Sequence, residues 1–345
     1  MKIGLYSENV KSVTYTIAYS IVLGGSELYL ITSKKYQQEN YLLQNIINLK
    51  NVNVIDNHDD FNIKLDILYI EFSNNYSRKD VLTWSKQAKS KAAICFYENN
   101  FRSQVKKFIK YFPVSLNFQT VIFVNGLPEF DLYKFLTKRY VLGFDVHSKF
   151  LEDKNLSNMM FCFDWNPQTS RKYKLNFLGN ILPIERTEIL KQIKLYLNLN
   201  PELINSINSI KNSNFECVWI EYGNNPAIKS QSLSSIEYIN CLSNSDFTLC
   251  PPGYNKVTHR VVEALVRGSI PVINRGELQL YDMCLEDGIN CIAVDEGNWI
   301  SSIERLLNIS ADELTKMRLN ILEMKDKHLL PNIFAKKLRK KMGIE

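Results

Sequence analysis

A chain of 345 residues exceeds what one hydrophobic core ordinarily spans, so two domains of roughly 150 residues each are expected. Hydrophobic residues make up 45% and charged residues 23%, a globular mixture that excludes a disordered or fibrous chain, and no apolar run approaches the ~18 residues of a membrane span. The net charge of +6 is modest and mixed, which speaks against nucleic-acid binding; the seven cysteines, odd in number and without a Cys-x-x-Cys pair, fit reduced thiols in a cytoplasm.

In chain order, Met1 to Tyr6 is charged and then apolar but breaks at Ser7-Glu8-Asn9 without a small-residue cleavage site, and reads as a first strand. Further strands are expected at Glu27–Thr32, Val52–Ile55, Asp66–Phe72, Ala92–Tyr97, Phe118–Val124 and Tyr140–Asp145. Helical stretches separate them at about Val10–Leu23, Lys34–Leu49, Arg78–Ser90, Arg102–Tyr111 and Phe130–Lys138. Short apolar runs alternating with amphipathic stretches describe a doubly wound parallel sheet. Gly24-Gly25 follows a helical run and precedes a strand, so a left-handed helix stop is the simpler reading than a phosphate loop.

Periodicity fades from Phe144 to Thr169, where Asn155, Ser157, Asn158, Asn166 and Pro167 mark the best linker. Beyond it come strand Tyr173–Leu178, helix Ile184–Leu197, strand Phe215–Ile220, helix Leu233–Leu242, strand Phe247–Cys250, helix Val257–Arg267, strands Ile270–Ile273 and Asn290–Val294, and helices to the end. A second doubly wound domain follows. The division expected is residues 1–165, residues 166–328 and a basic tail, 329–345. That tail, Lys336-Lys337-Leu338-Arg339-Lys340-Lys341, reads as a solvated helix end whose cations suit the helix dipole, or as a peripheral contact with anionic lipid.

The stretch richest in chemistry runs from Asp246 to Ile273: strand, tight loop, helix, glycine stop, strand. In Cys250-Pro251-Pro252-Gly253-Tyr254 the prolines fix the chain and the glycine permits a ligand to approach, and a loop entering a helix offers free N–H groups to an anion. On that helix Arg260, Glu263 and Arg267 are spaced i, i+3 and i+7 and share a face. One guanidinium near the loop can hold a diphosphate, and a carboxylate one turn later can accept hydrogen bonds from the vicinal hydroxyls of a ribose. The competing reading is a surface ladder in which Glu263 pairs with both arginines.

This block resembles the nucleotide-binding block of the exostosin-like, family 47 glycosyltransferases: a Cys-Pro-x-Gly loop, a small hydroxyl residue, an Arg, Glu-Ala-Leu, a glycine and Ile-Pro-Val. The matching residues are Cys250, Pro251, Gly253, Thr258, Arg260, Glu263, Ala264, Leu265, Gly268, Ile270, Pro271 and Val272. Arg171, then Phe177-Leu178-Gly179-Asn180 and Arg186, is similar to the opening of the same family's C-terminal domain. There Gly179 and Asn180 end a strand where backbone donors can approach phosphate, with Arg171 and Arg186 to neutralise it. Lys256 and His259 depart from the family pattern.

The resemblance implies a GT-B fold, two doubly wound Rossmann-like domains facing across a cleft, and an inverting glycosyltransferase with a nucleoside-diphosphate sugar donor, UDP-linked by expectation. The acceptor expected is a glycan or lipid-linked glycan in surface polysaccharide synthesis. No two aspartates stand two apart, so no Asp-x-Asp metal site is expected, no cofactor is called for, and arginines with a helix N-terminus supply the positive field. The base that takes the acceptor proton is expected from the N-terminal domain among Glu8, Glu71, Glu98 and His147; Glu98 is the choice, for its aromatic loop. Non-catalytic nucleotide-sugar binding and a GT-B sugar-nucleotide epimerase are the alternatives.

Overall fold

The computed structural model describes residues 1–7, 12–32, 45–56, 62–72, 78–96, 101–124, 126–127, 132–143, 146–181, 183–205, 210–211, 215–222, 233–253, 255–295 and 297–344. They form two compact units, one of Met1–Gly143 with Pro331–Glu345 and one of Phe144–Leu330. The division after Gly143 precedes the expected boundary, and the chain's last helix belongs with the first unit rather than standing as a separate tail.

The first unit contains, in order, β1 (Lys2–Tyr6), α1 (Ser12–Leu23), β2 (Glu27–Thr32), β3 (Val52–Asp56), β4 (Leu65–Glu71), α2 (Arg78–Ser85), β5 (Ala88–Phe96), α3 (Phe101–Ser115), β6 (Phe118–Val124) and β7 (Lys138–Val141). Its sheet is parallel throughout, in the order β3-β2-β1-β4-β5-β6-β7. Strands covered on both faces must be apolar nearly throughout, and β2 and β4 are, from Leu28 to Ile31 and from Ile67 to Ile70. An aromatic core forms where Phe72 stacks on Tyr111 with ring centroids 3.9 Å apart and tilts against Phe118 and Tyr133. At Gly25, φ is +76° and its N–H returns to Val22 O at 2.9 Å, so the glycine pair stops α1, as the simpler reading has it.

Two local expectations change, and a third falls largely outside the described residues. The helix expected to Ser90 ends at Ser85, because Ala88 already pairs with Leu65 as β5 begins. Within Phe130–Lys138 the described residues 132–136 are turns, with Leu136 and Thr137 donating to Tyr133 O, and Lys138 is captured by β6 through Thr120. Most of Lys34–Leu49 lies outside the described residues. In each of the first two, strand pairing outweighs a helical pattern that costs little to break over one or two turns.

The second unit holds α4 (Lys149–Glu152), α5 (Lys154–Met160), β8 (Tyr173–Asn180), α6 (Ile184–Tyr196), β9 (Ile210–Lys211), β10 (Glu216–Tyr222), α7 (Ser235–Ser243), β11 (Ser245–Leu249), α8 (His259–Val266), β12 (Ile270–Asn274), β13 (Ile292–Val294), α9 (Trp299–Leu307) and α10 (Ala311–Met324). Strand order is β13-β12-β11-β8-β10-β9, parallel except for the short edge strand β9. The presumed linker is structured: Asp153 caps α5 by accepting from the N–H groups of Asn155 and Leu156. Arg267 holds its far end, donating to Met159 O at 2.7 Å and pairing with Asp164 at 3.2 Å. Tertiary hydrogen bonds, which leave no periodicity in the sequence, order this segment.

The last helix, α11 (Pro331–Met342), buries Phe334, Ala335, Leu338, Arg339 and Met342. Arg339 donates to Ser20 O at 3.2 Å and Tyr69 to Met342 O at 2.7 Å, so this basic stretch packs on the first unit along one face while Lys336 and Lys340 stay exposed. A helix as apolar all round as α1 needs such a second cover. No helix among the described residues is long and apolar enough to cross a membrane.

Candidate functional site

In a doubly wound sheet the carboxyl ends of the strands flanking the point where the order reverses leave an open crevice. In the second unit the chain leaves β8 for β10 on one side and returns to β11 on the other, so that point lies beyond Asn180 and Leu249. A pocket of about 590 Å³ opens there, a size suited to a small ligand. Gly179, Asn180, Tyr222, Gly253, Thr258, Arg260 and Glu263 line it, together with Arg186, Tyr238, His259 and three residues of the former linker, His147, Lys149 and Phe150.

The helix α8 enters the pocket from the loop after β11. Thr258 is its N-cap, with φ −122° and ψ 143°, yet its side chain makes no capping hydrogen bond, and its hydroxyl oxygen is buried without a hydrogen-bond partner among the described residues. Tyr281, across the loop, accepts the Thr258 N–H at 2.8 Å. An uncapped helix start and an orphaned hydroxyl together present donors to an anion. Gly268, at φ +68°, ends the helix, its N–H returning to Leu265 O at 2.9 Å.

Two guanidiniums frame the same loop. Arg260 is 8% exposed, donates to Leu249 O at 3.4 Å and lies 5.0 Å from the centroid of the Phe177 ring. Arg186 is 5% exposed and donates to the carbonyls of Pro252 at 2.9 Å, Pro251 at 3.0 Å and Asn180 at 2.8 Å. Among the described residues neither is ion-paired with a carboxylate, and burial together with the neighbouring Arg260 pushes Arg186 down to about 10. Arg186 remains a cation at neutral pH. Two buried, uncompensated guanidiniums are costly unless an anion joins them.

The glycines earn their place differently from expectation. A Cβ on Gly179 would stand 2.0 Å from Arg260 Nη2, and one on Gly253 would stand 2.5 Å from Arg186 Nη2. Each glycine therefore makes room for a guanidinium.

Glu263 is 2% exposed, and both its oxygens are held. The His147 N–H donates to Oε1 at 2.9 Å and the Tyr238 hydroxyl to Oε2 at 2.5 Å. Burial and the adjacent carboxylate raise Tyr238 well above its ordinary pKa, so it stays a donor. A carboxylate has about four lone-pair sites, so two remain for a ligand's hydroxyls. No ion pair joins Glu263 to Arg260 or Arg267 among the described residues, so the surface-ladder reading does not hold: Arg267 turns away to the 159–164 segment. His147 is pushed down to about 4, by burial first and then by His259, and is a neutral imidazole at physiological pH. Its ring lies 5.8 Å from that of His259.

Arg171 is a correction. It does not line the pocket; its guanidinium donates to the carbonyls of Ser245 at 2.9 Å, Arg267 at 3.1 Å and Leu242 at 3.3 Å, and lies over Trp165. It clamps β11 to the end of α8. Arg186, expected beside Arg171 to neutralise phosphate, takes the place by the loop. His147, expected on the first domain, sits in the second unit beside Glu263. Tyr254, Glu8 and Glu98 lie outside the described residues. Glu71, at the end of β4, is 4% exposed and accepts from the Ser7 hydroxyl at 2.5 Å, at the order reversal of the first sheet.

Glu277 lies on the turn after β12, accepts from Asn274 at 3.3 Å, and is pushed by burial to about 8. Its folded pKa is raised, so it removes stability as pH rises from the ordinary 4.5 through about 8. Glu277→Gln, which keeps the acceptor, is expected to gain ~2–4 kcal/mol at pH 8 and nothing at pH 4, read from thermal melts across that range.

The twin Rossmann-like units place the chain in the GT-B fold class. The RXYLT1 C-terminal domain family matches residues 159–289, which include every named pocket residue except His147, Lys149 and Phe150. Ribitol-5-phosphate xylosyltransferase 1 of Danio rerio is 30% identical over 167 residues, 44% of this chain and 34% of that protein. The matched region thus spans about a third of the relative's length. Among solved structures, Anabaena HepE in complex with UDP and glucose is similar over 100% of both chains, at 11% identity and a TM-score of 0.53. The N-terminal domain of Candida albicans trehalose-6-phosphate phosphatase is similar over 99% of this chain and 96% of its own, at 9% identity and a TM-score of 0.59. At such identities the likeness is one of fold.

Proposed function

We propose that the chain is a glycosyltransferase that takes a sugar from a UDP-linked donor and passes it to a glycan or lipid-linked glycan acceptor. The observation that carries this is the pocket at the order reversal of the second sheet, where Arg186, Arg260, the Thr258 hydroxyl and an uncapped helix start surround one carboxylate, Glu263. The cations and helix donors take the diphosphate and stabilise it as it leaves; Glu263, oriented by His147 and Tyr238, takes the ribose hydroxyls. The relative's name, a xylosyltransferase, and the UDP and UDP-glucose complexes of HepE favour this ligand class.

The finer proposals are an exostosin-like enzyme, inversion at the anomeric carbon, leaving-group stabilisation without a metal, and work on the cytoplasmic side in surface polysaccharide synthesis. His147 belongs with the donor pocket, so the proton acceptor is assigned to a carboxylate of the first unit: Glu98, the choice from sequence, or Glu71. Glu98→Gln or Glu71→Gln is then expected to lower kcat at least ~100-fold with little change in UDP affinity, and the pair together identifies which acts.

The test is UDP release from a panel of UDP-sugars, UDP-xylose and UDP-glucose included, with EDTA present and absent. Turnover of one donor that persists in EDTA supports the proposal. Binding of UDP without turnover of any donor favours the non-catalytic alternative.

A further inference from the structure

The first unit carries an apolar face that its own core does not cover. On α3, Phe101, Val105, Ile109 and Phe112 recur at i, i+4, i+8 and i+11, one stripe of the helix, and Leu116 continues it just past the end. Ile109 is 64% exposed, Leu116 61% and Phe101 55%. The helix's inward side is a different one, where Tyr111 is fully buried in the aromatic core. Phe108, between the two sides, meets Tyr133 edge-on at 5.2 Å, which brings the 132–136 turn alongside, and two residues on Phe135 is 82% exposed. A run of large exposed apolar side chains of this kind marks an interaction surface.

Its charge indicates the partner. Residues 101–116 and 132–141 contain no Asp or Glu, while Arg102, Lys106 and Lys110 follow one flank of the α3 stripe, Lys134 lies over the Phe135 ring at 4.6 Å, and Lys138 and Arg139 follow it in the sequence. Arg102, Lys106, Lys134, Lys138 and Arg139 are exposed. Aromatic and aliphatic side chains on one arc with cations beside them, and no acids, are the features of a surface that lies in the interface of an anionic bilayer: the apolar stripe enters the acyl boundary and the cations meet the headgroups. The basic stretch at 336–341, the first suspect from the sequence, is disqualified in large part by its packing, since Leu338, Arg339 and Met342 are buried.

We propose that α3 and the 132–136 turn form a docking face for anionic lipid bilayers. This face belongs to the first unit, and the inference stands apart from the transfer reaction.

Flotation of the full chain with vesicles of phosphatidylcholine, with and without 30% phosphatidylglycerol, tests it. Binding is expected only to the anionic vesicles, to weaken with added salt, and to drop at least 10-fold in Ile109→Asp with Leu116→Asp and in Lys106→Glu with Lys134→Glu. All four positions are exposed, and unchanged melting temperatures show that the variants fold. Lys336→Glu with Lys340→Glu, on the exposed side of α11, is expected to bind as the parent does. Absence of vesicle binding, equal binding to neutral vesicles, or loss confined to the Lys336/Lys340 variant overturns the proposal. The first of these outcomes assigns the face to a protein partner instead.

Discussion

Gly179→Ala is expected to weaken UDP binding about 10- to 100-fold without unfolding the protein. The added methyl group does not touch substrate; it occupies the position of the Arg260 guanidinium, whose Nη2 would lie 2.0 Å away. Arg260 must swing off the Phe177 ring, and the pocket loses a charge-assisted donor whose contribution is about 1.5–3 kcal/mol. The backbone at Gly179 does not have a positive φ, so alanine brings no backbone strain of its own. Arg260→Ala removes the same cation outright, and the two variants should match in affinity. Calorimetric titration with UDP reads both; a Gly179→Ala protein that binds as tightly as the parent contradicts the role given to Arg260.

Glu263→Gln is expected to lower kcat/KM about 100- to 1000-fold. Two buried donors, the His147 N–H and the Tyr238 hydroxyl, converge on the carboxylate. An amide satisfies one of them and turns its own NH₂ towards the other, and the ligand hydroxyls lose a charged acceptor. Glu263→Ala leaves both donors unpaired, at about 1–3 kcal/mol each, so its loss of activity will mix with loss of fold. Tyr238→Phe separates these effects. It keeps the ring stacked on Phe150, removes one orienting bond, and is expected to raise KM for the donor by about tenfold while kcat falls less. Equal kcat/KM for the parent and Glu263→Gln would remove Glu263 from the site.

Much of the pocket's lining was legible because it is local. Thr258, Arg260 and Glu263 lie within six residues at a loop-to-helix junction, and a parallel sheet obliges such a junction to face the crevice beyond its strands. Gly179 and Asn180 were found at a strand end and Gly253 in the loop beyond one, although the two glycines serve arginines rather than phosphate directly. What stayed hidden came from far along the chain. His147 reaches Glu263 across 116 residues and Tyr238 across 25, on hydrogen bonds that leave no period in the sequence. The 144–169 stretch looked like a linker for the same reason: Arg267 and the Asp153 cap order it, and neither acts through an apolar repeat. Arg171 shows the converse limit, since residue type and position at a domain opening do not say whether a guanidinium faces a ligand or three carbonyls. Its neighbourhood in sequence, with Trp165 and the end of α8 folding back on it, was settled by packing alone.

Isothermal titration of UDP into the full chain in EDTA, repeated with Arg260→Ala and Glu263→Gln, bears most directly on the pocket's assignment. The account predicts a single UDP site in the parent, with uridine binding more weakly for want of the diphosphate, and a large loss in each variant. UDP that fails to bind, or that binds all three proteins alike, contradicts it.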